Sequence, residues 1–231
     1  VKARVQDFVD KYNAVRQFIN QKTQYDTEKD EAGALMGNYV ARFIESDLRN
    51  LVVNPAPGFD DSSETYTLLS QIGIETTGQA EDEAELGTLQ IDDEKLDEAL
   101  SDNYEATISV LSENFSGVSD SEHLSYYQSS EVLTEAGKYD VEIDFDGSGN
   151  VTGGLMKLTT ESTFREAEVN GNYIVGGEDN PEQALWVEGE WDGVSATQSA
   201  TVRVRQGVVD AMSSSLETTT DSMSGLLAQQ Q

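Results

Sequence analysis

The sequence contains no cysteine. Disulfides, thiolate metal sites and cysteine nucleophiles are therefore excluded. It has a single histidine, His123, so one chain cannot assemble a multi-histidine metal centre. Basic residues are scarce as well: 14 Lys and Arg stand against 44 Asp and Glu, a net charge of −30. Such a surface repels phosphate backbones and anionic headgroups, which argues against nucleic-acid and membrane-surface partners. No apolar run approaches the roughly 20 residues that span a bilayer. No charged-then-apolar leader stands at the N-terminus, so no secretory signal is visible. Apolar residues make up only 37% and aromatics 8% of the chain, yet they are spaced periodically. That pattern indicates folded protein rather than an acidic disordered tail, and 231 residues allow one or two domains. The acidity admits two readings: a solubility device for a secreted or salt-exposed protein, or a functional acidic face.

What is present begins with a helical seam. Val1, Val5, Phe8, Tyr12, Val15 and Ile19 follow the alternating four-three spacing of a coiled-coil or bundle helix. No capping residue precedes Val1, so this helix is expected to start upstream and the chain to be a cut piece of a longer protein. A polar stretch, Thr23 to Ala32, leads to Gly33. A second helix is expected from about Asn38 to Val53, with Val40, Phe43, Ile44, Leu48, Leu51 and Val52 on one side. Asn54, Pro55, Pro57 and Gly58 end it. A short helix over Glu64–Gln71 follows. Two β-prone pieces, Gly73–Thr76 and Thr88–Ile91, flank the acidic loop Gln79–Glu85 and predict a small hairpin. Asp92 is a good N-cap for a helix carrying Leu96 and Leu100, and Asn103 caps another through Leu111, with Ile108 and Leu111 inward.

From about Gly117 the period changes from 3.6 to 2. Tyr139-Asp140-Val141-Glu142-Ile143-Asp144-Phe145 alternates apolar and acidic residues, the signature of a strand with one wet face. Asp146–Asn150 is a turn. Further strands are expected at Gly154–Thr160, Tyr173–Val175, Ala184–Gly189 and Ala200–Val204. The last stretch reverts to helix, with a diluted seam of Val208, Met212, Leu216, Met223 and Leu226, and a Gln-rich end at Gln229–Gln231. The fold class expected is α+β: a helical bundle or coiled-coil-like leg with a small hairpin, interrupted by an inserted antiparallel β domain. The boundaries are 1–117 for the leg, 118–204 for the β-rich insertion and 205–231 for a return helix. First and last helices are expected to pack together.

Chemical motifs are weak. Asp144-x-Asp146-x-Ser148-Gly149 resembles the start of a calcium loop, but its twelfth position is Leu155 rather than a bidentate glutamate, so a plain hairpin turn is the better reading. Gly147-x-Gly149 then Gly153 misses the dinucleotide fingerprint, and no amphipathic helix follows it. Gly137-Lys138 lacks the rest of a phosphate loop. Glu188 and Glu190 could serve a glycosidase, yet with 44 acids such pairs arise by chance. Trp186 and Trp191 are candidate surface-recognition residues able to stack on sugars, with packing the more frequent role of such residues. His123 lies in the polar linker Ser119–Ser125. Asn114-Phe115-Ser116 and Asn150-Val151-Thr152 match the glycosylation triplet, a pattern frequent by chance. No metal or cofactor site is expected. The strongest physical signal is the helical seam, and its candidate packing or oligomer residues are Val5, Phe8, Tyr12, Val15, Ile19, Val208, Met212 and Leu216.

A resemblance adds to this. Phe8-Val9-Asp10-Lys11-Tyr12-Asn13, then Thr23-Gln24-Tyr25-Asp26, then Gly33-Ala34-Leu35-Met36-Gly37-Asn38 is similar to the C-terminal region of the flagellar filament capping family, hook-associated protein 2. Leu48-Arg49, Leu69-x-x-Ile72-Gly73-Ile74 and the run Gly87 to Leu100 continue the family's order, and Gln206-Gly207-Val208-Val209 resembles its return to a terminal helix. Asn38 departs from the family's usual Asp. Ala136-Gly137-Lys138-Tyr139-Asp140-Val141 resembles strands of the family's head domains. The resemblance implies a secreted structural cap and not an enzyme: a homo-oligomeric ring at the filament tip that guides flagellin into place, beside other hook-associated proteins. Export through the flagellar apparatus would fit the missing leader. An alternative reading is an extracellular adhesin or glycan-binding module carried by the β insertion.

Overall fold

Two units account for the chain in the computed structural model, which describes residues 1–26, 30–78 and 85–220. One comprises Val1–Ala56, Asp61–Ser112 and the chain from Val208 on. The other comprises Pro57–Asp60 and Glu113–Gly207. Helices dominate the first and antiparallel strands the second, so the chain is α+β.

In the helical unit, α1 (Lys2–Thr23) buries Val5, Val9, Tyr12, Arg16, Ile19 and Asn20. A two-residue pair, β1 (Tyr25–Asp26) and β2 (Glu31–Ala32), follows it. Helix α2 (Tyr39–Val53) starts where the Asn38 side chain accepts the Ala41 N–H at 3.0 Å, satisfying a donor the helix leaves free. Its apolar stripe buries Val40, Ala41, Leu48 and Val52. The helix expected over Glu64–Gln71 is reduced to a 3-10 turn, Leu69–Ile72. The Gln71 side-chain oxygen accepts the N–H groups of Thr67 and Leu68 at 2.7 and 2.9 Å, fixing that approach as extended chain. Gly73, at φ 82°, then stops the turn in the left-handed region.

Strands β3 (Ile74–Thr76) and β4 (Leu89–Ile91) pair antiparallel, Ile74 opposite Ile91 and Thr76 opposite Leu89. Of the acidic loop between them, residues 79–84 lie outside the described residues. Helix α3 (Asp93–Asp102) is capped by the Asp92 carboxylate, which accepts from Glu94 and Lys95, with Asp93 and Glu94 complementing the helix dipole. Asn103 opens α4 (Tyr104–Ser112) by accepting the Ala106 N–H. The final helix, α5 (Val208–Thr220), packs on α2 and α4. Met223, Leu226 and Gln229–Gln231 lie outside the described residues.

The second unit is built from β5 (Ser116–Ser119), β6 (Leu124–Gln128), β7 (Gly137–Phe145), β8 (Val151–Leu158), β9 (Arg165–Glu166), β10 (Glu168–Asn170), β11 (Tyr173–Val175), β12 (Trp186–Gly189) and β13 (Thr197–Arg205). They form a five-stranded sheet in the order β5-β13-β7-β8-β9 and a four-stranded sheet in the order β10-β11-β12-β6. Tyr139, Val141, Ile143 and Phe145 of β7 point inward, as their alternation requires. They meet Met156, Ile174, Leu185, Val187, Val202 and Val204 in one continuous core. Strands β5 and β6 are not among the expected strands, and the polar linker Ser119–Ser125 takes in only their facing ends; β6 turns Leu124 and Tyr126 toward the core. The segment 57–60 belongs here too. Gln206 N–H donates to the Pro57 carbonyl, Lys138 pairs with Asp60, and the Arg205 guanidinium lies 5.7 Å from the Phe59 ring centre. Gly58, at φ 76°, is pressed so closely on Val204 that no β-carbon fits.

Candidate functional site

The predicted seam residues of the helical unit separate into two lines on α1. Val5, Tyr12 and Ile19 are buried, together with Val9 and Arg16, which the sequence pattern does not single out. Phe8 and Val15 lie one step round the helix and remain partly exposed. The true buried line, Val5-Val9-Tyr12-Arg16-Ile19, also has four-three spacing, and the arginine within it hides the signal.

The polar side of α1 explains why that line is buried. The Asn13 amide donates to the Leu89 carbonyl at 2.8 Å and accepts the Leu89 N–H at 2.6 Å, standing in for a neighbouring strand. The Tyr12 hydroxyl donates to the Gly87 carbonyl at 3.2 Å. Arg16 Nη2 and Asn20 Nδ2 both donate to the Leu86 carbonyl, and Arg16 Nη1 lies 3.2 Å from a Glu45 carboxylate oxygen of α2. Burial pushes the Tyr12 phenol up from its usual range.

Phe8 and Val15 face a groove. Two adjoining cavities, of about 300 and 500 Å³, share Arg4, Phe8 and Val209. The smaller is walled by Val5, Tyr104, Ile108 and Leu111, the larger by Tyr12, Val15, Leu48, Met212 and Leu216. Helices α1 and α5 therefore line one groove, with α2 and α4 contributing to its walls. Of the predicted residues, Val5, Phe8, Tyr12, Val15, Met212 and Leu216 come together here. Val208 is fully buried, and Ile19 is buried further along α1. The rim carries Arg4, Lys11 and Asp7, with Lys11 and Asp7 paired at 2.7 Å. Its lining suits it to bury an apolar ridge rather than to move protons or electrons.

The two tryptophans have different fates. Trp186 stands in an aromatic cluster with Tyr127 and Tyr173, ring centres 4.7 to 6.4 Å apart, on the four-stranded sheet. Trp191 packs on the core and donates its indole N–H to the Ser195 carbonyl at 2.9 Å. Asp146 turns its carboxylate onto the N–H groups of Ser148 and Asn150 and the Asn150 amide, which hold it below the usual carboxylate range. Those oxygens serve the hairpin turn.

Comparison with known proteins gives the family. The family described as flagellar hook-associated protein 2 C-terminus matches residues 1–231, the whole chain. The chain belongs to the flagellar hook-associated protein 2 family. Its relatives include flagellar hook-associated protein 2 of Aeromonas caviae, 31% identical over 112 residues, which are 46% of this chain and 22% of the relative. The same-named protein of Salmonella typhimurium is 29% identical over 116 residues, 48% of this chain and 22% of the relative. The matches thus span about a fifth of those proteins' length. A crystal structure of the D1-D2-D3 domains of the flagellar cap protein FliD from Escherichia coli is 29% identical, covering 45% of this chain and 24% of that one, with a TM-score of 0.33.

Proposed function

We propose that this chain is part of the cap at the tip of a bacterial flagellar filament, where it acts as a structural element and as an assembly chaperone for flagellin. Membership of the hook-associated protein 2 family over all 231 residues carries this reading. In it, the helices at 1–117 and 205–231 form a coiled-coil-like leg, and the β-rich region at 118–204 is an inserted accessory domain. The protein works outside the cell as a ring of identical copies that meets flagellin and other hook-associated proteins. It is a structural component rather than an enzyme. The groove lined by Phe8, Val15, Met212 and Leu216 is its assembly surface, because Phe8, Val15 and Leu216 stay partly exposed and gain most when a partner covers them. Deleting the gene is expected to leave cells that release unpolymerised flagellin into the medium. Full-length filaments on such cells would overturn the reading.

A further inference from the structure

Two features of the chain complement each other and serve no purpose in its own core. The first is the turn at 130–134, between β6 and β7. Thr134 Oγ1 accepts the Ser130 N–H at 3.0 Å and donates to the Gln183 carbonyl at 2.7 Å. Ser130 Oγ accepts the N–H groups of Val132 and Leu133, and Glu135 N–H donates to the Pro181 carbonyl. So anchored, the turn holds Val132 89% and Leu133 48% exposed. Among the described residues they are the only two consecutive large apolar residues so exposed. Glu131 and Glu135 flank them.

The second feature is the groove between α1 and α5. Its charge runs against that of the chain. On a protein of net charge −30, α1 and α2 carry seven basic residues, Arg4 and Lys11 at the rim among them, against Asp7, Asp10, Glu45 and Asp47. An apolar knob between two carboxylates matches an apolar groove whose rim carries Arg4 and Lys11 against the single carboxylate of Asp7, a net positive rim.

We propose that the 130–134 turn of one copy seats Val132 and Leu133 in the α1–α5 groove of a second copy, with Glu131 and Glu135 toward Arg4 and Lys11. This rests on the self-assembly included in the function proposed above and names the surfaces that carry it. A second copy is the fitting occupant because knob and groove each occur on this chain and bear opposite charge. The contact is heterologous: every bound pair keeps one free turn and one free groove, so addition continues until a ring closes or a chain grows. A single turn in a groove is a small interface, weak for an isolated pair and strengthened when each copy is held by both its turn and its groove.

The absence of cysteine supplies the test. Val132→Cys and Ser213→Cys are made in separate full-length copies of this chain, mixed, and oxidised mildly. Both positions are exposed, Ser213 lies on the groove rim, and a disulfide between two different variants can only join two copies. The heterodisulfide is expected to form about tenfold faster than that between Val194→Cys, an equally exposed position, and Ser213→Cys. Adding Leu133→Asp to the Val132→Cys chain should return the rate to that of the control pair. Equal rates for the two pairs, or an excess unaffected by Leu133→Asp, would overturn the proposal. The readout is independent of flagellin release by deletion cells, so failure of the contact and failure of the cap reading are separately visible.

Discussion

The helical unit and the β unit manage a shortage of apolar residues in opposite ways. The β unit spends its few on closure: twelve core residues are buried, and of its exposed apolar positions Val132, Leu133 and Val194 lie outside the strands while Tyr127 and Val169 stand on β6 and β10. The helical unit leaves its stripe half used, with Phe8 and Val15 lining an open groove and Phe18, Tyr39 and Phe43 facing solvent. A strand hides alternate residues against a second sheet within the same unit. A helix with an apolar arc wider than its neighbours cover has surface left for something else. The contrast separates a unit that closes its apolar residues inside from one that leaves part of its apolar arc open.

The largest effect should come from charge rather than from apolar contact. Arg165 of β9 donates to Glu182 at 2.5 and 2.7 Å, tying the five-stranded sheet to the loop between β11 and β12, and Glu182 is only 1% exposed. The same guanidinium holds Glu161, keeping that carboxyl below its usual range, and the two carboxylates raise the pKa of Arg165 itself. Arg165→Met would strand Glu182 as a buried unpaired charge, at a cost of about 3–5 kcal/mol. Both tryptophans lie in the β unit, so urea unfolding followed by tryptophan fluorescence reports on it alone. The sign with pH follows. A carboxyl whose folded pKa is depressed gives stability that is present above its unfolded value and lost as pH falls through its folded value. Glu161, Asp146 and Asp192 are all depressed, so the urea midpoint should drop on acidification below the ordinary carboxylate range.

Next in size is a core truncation. Ile143 is fully buried between the sheets, and Ile143→Ala should cost about 2–4 kcal/mol, again by fluorescence-detected unfolding. A smaller loss is expected in the helical unit from Asn13→Ala, which leaves both the Leu89 N–H and carbonyl without the partner they have now. That should lower stability by about 1–2 kcal/mol, read from the helical signal at 222 nm on heating.

How much of this was readable in the sequence follows from the same contrast. The 2-residue period of β7 and the caps at Asn38, Asp92 and Asn103 stand in the sequence because each depends on local chemistry. Strands β5 and β6 do not, since Ser and Gly there take strand geometry only from their neighbours β13 and β12. The seam on α1 was visible as a period, but not in its rotation. Arg16 is buried because Glu45 and the Leu86 carbonyl receive it, and those partners lie 29 and 70 residues away in the chain. The surroundings of the candidate recognition residues Trp186 and Trp191 are likewise set by residues distant in the chain. The structure gives Trp186 to an aromatic cluster and Trp191 to the core.

The smallest change in stability should accompany the sharpest test of the comparison. Val15 lines the groove and is 38% exposed, so it holds little of the helical unit together. Val15→Gln keeps a residue compatible with a helix and removes apolar surface from the groove, and the melting signal at 222 nm should move by no more than about 0.5 kcal/mol. If the groove is left open for a partner, the same variant should still impair filament growth, seen as flagellin in the medium of cells carrying it in the full-length protein. Growth equal to wild type would assign the open stripe to chance exposure. A stability loss like that of Ile143→Ala would mean that the helical unit, like the β unit, uses its apolar residues on itself.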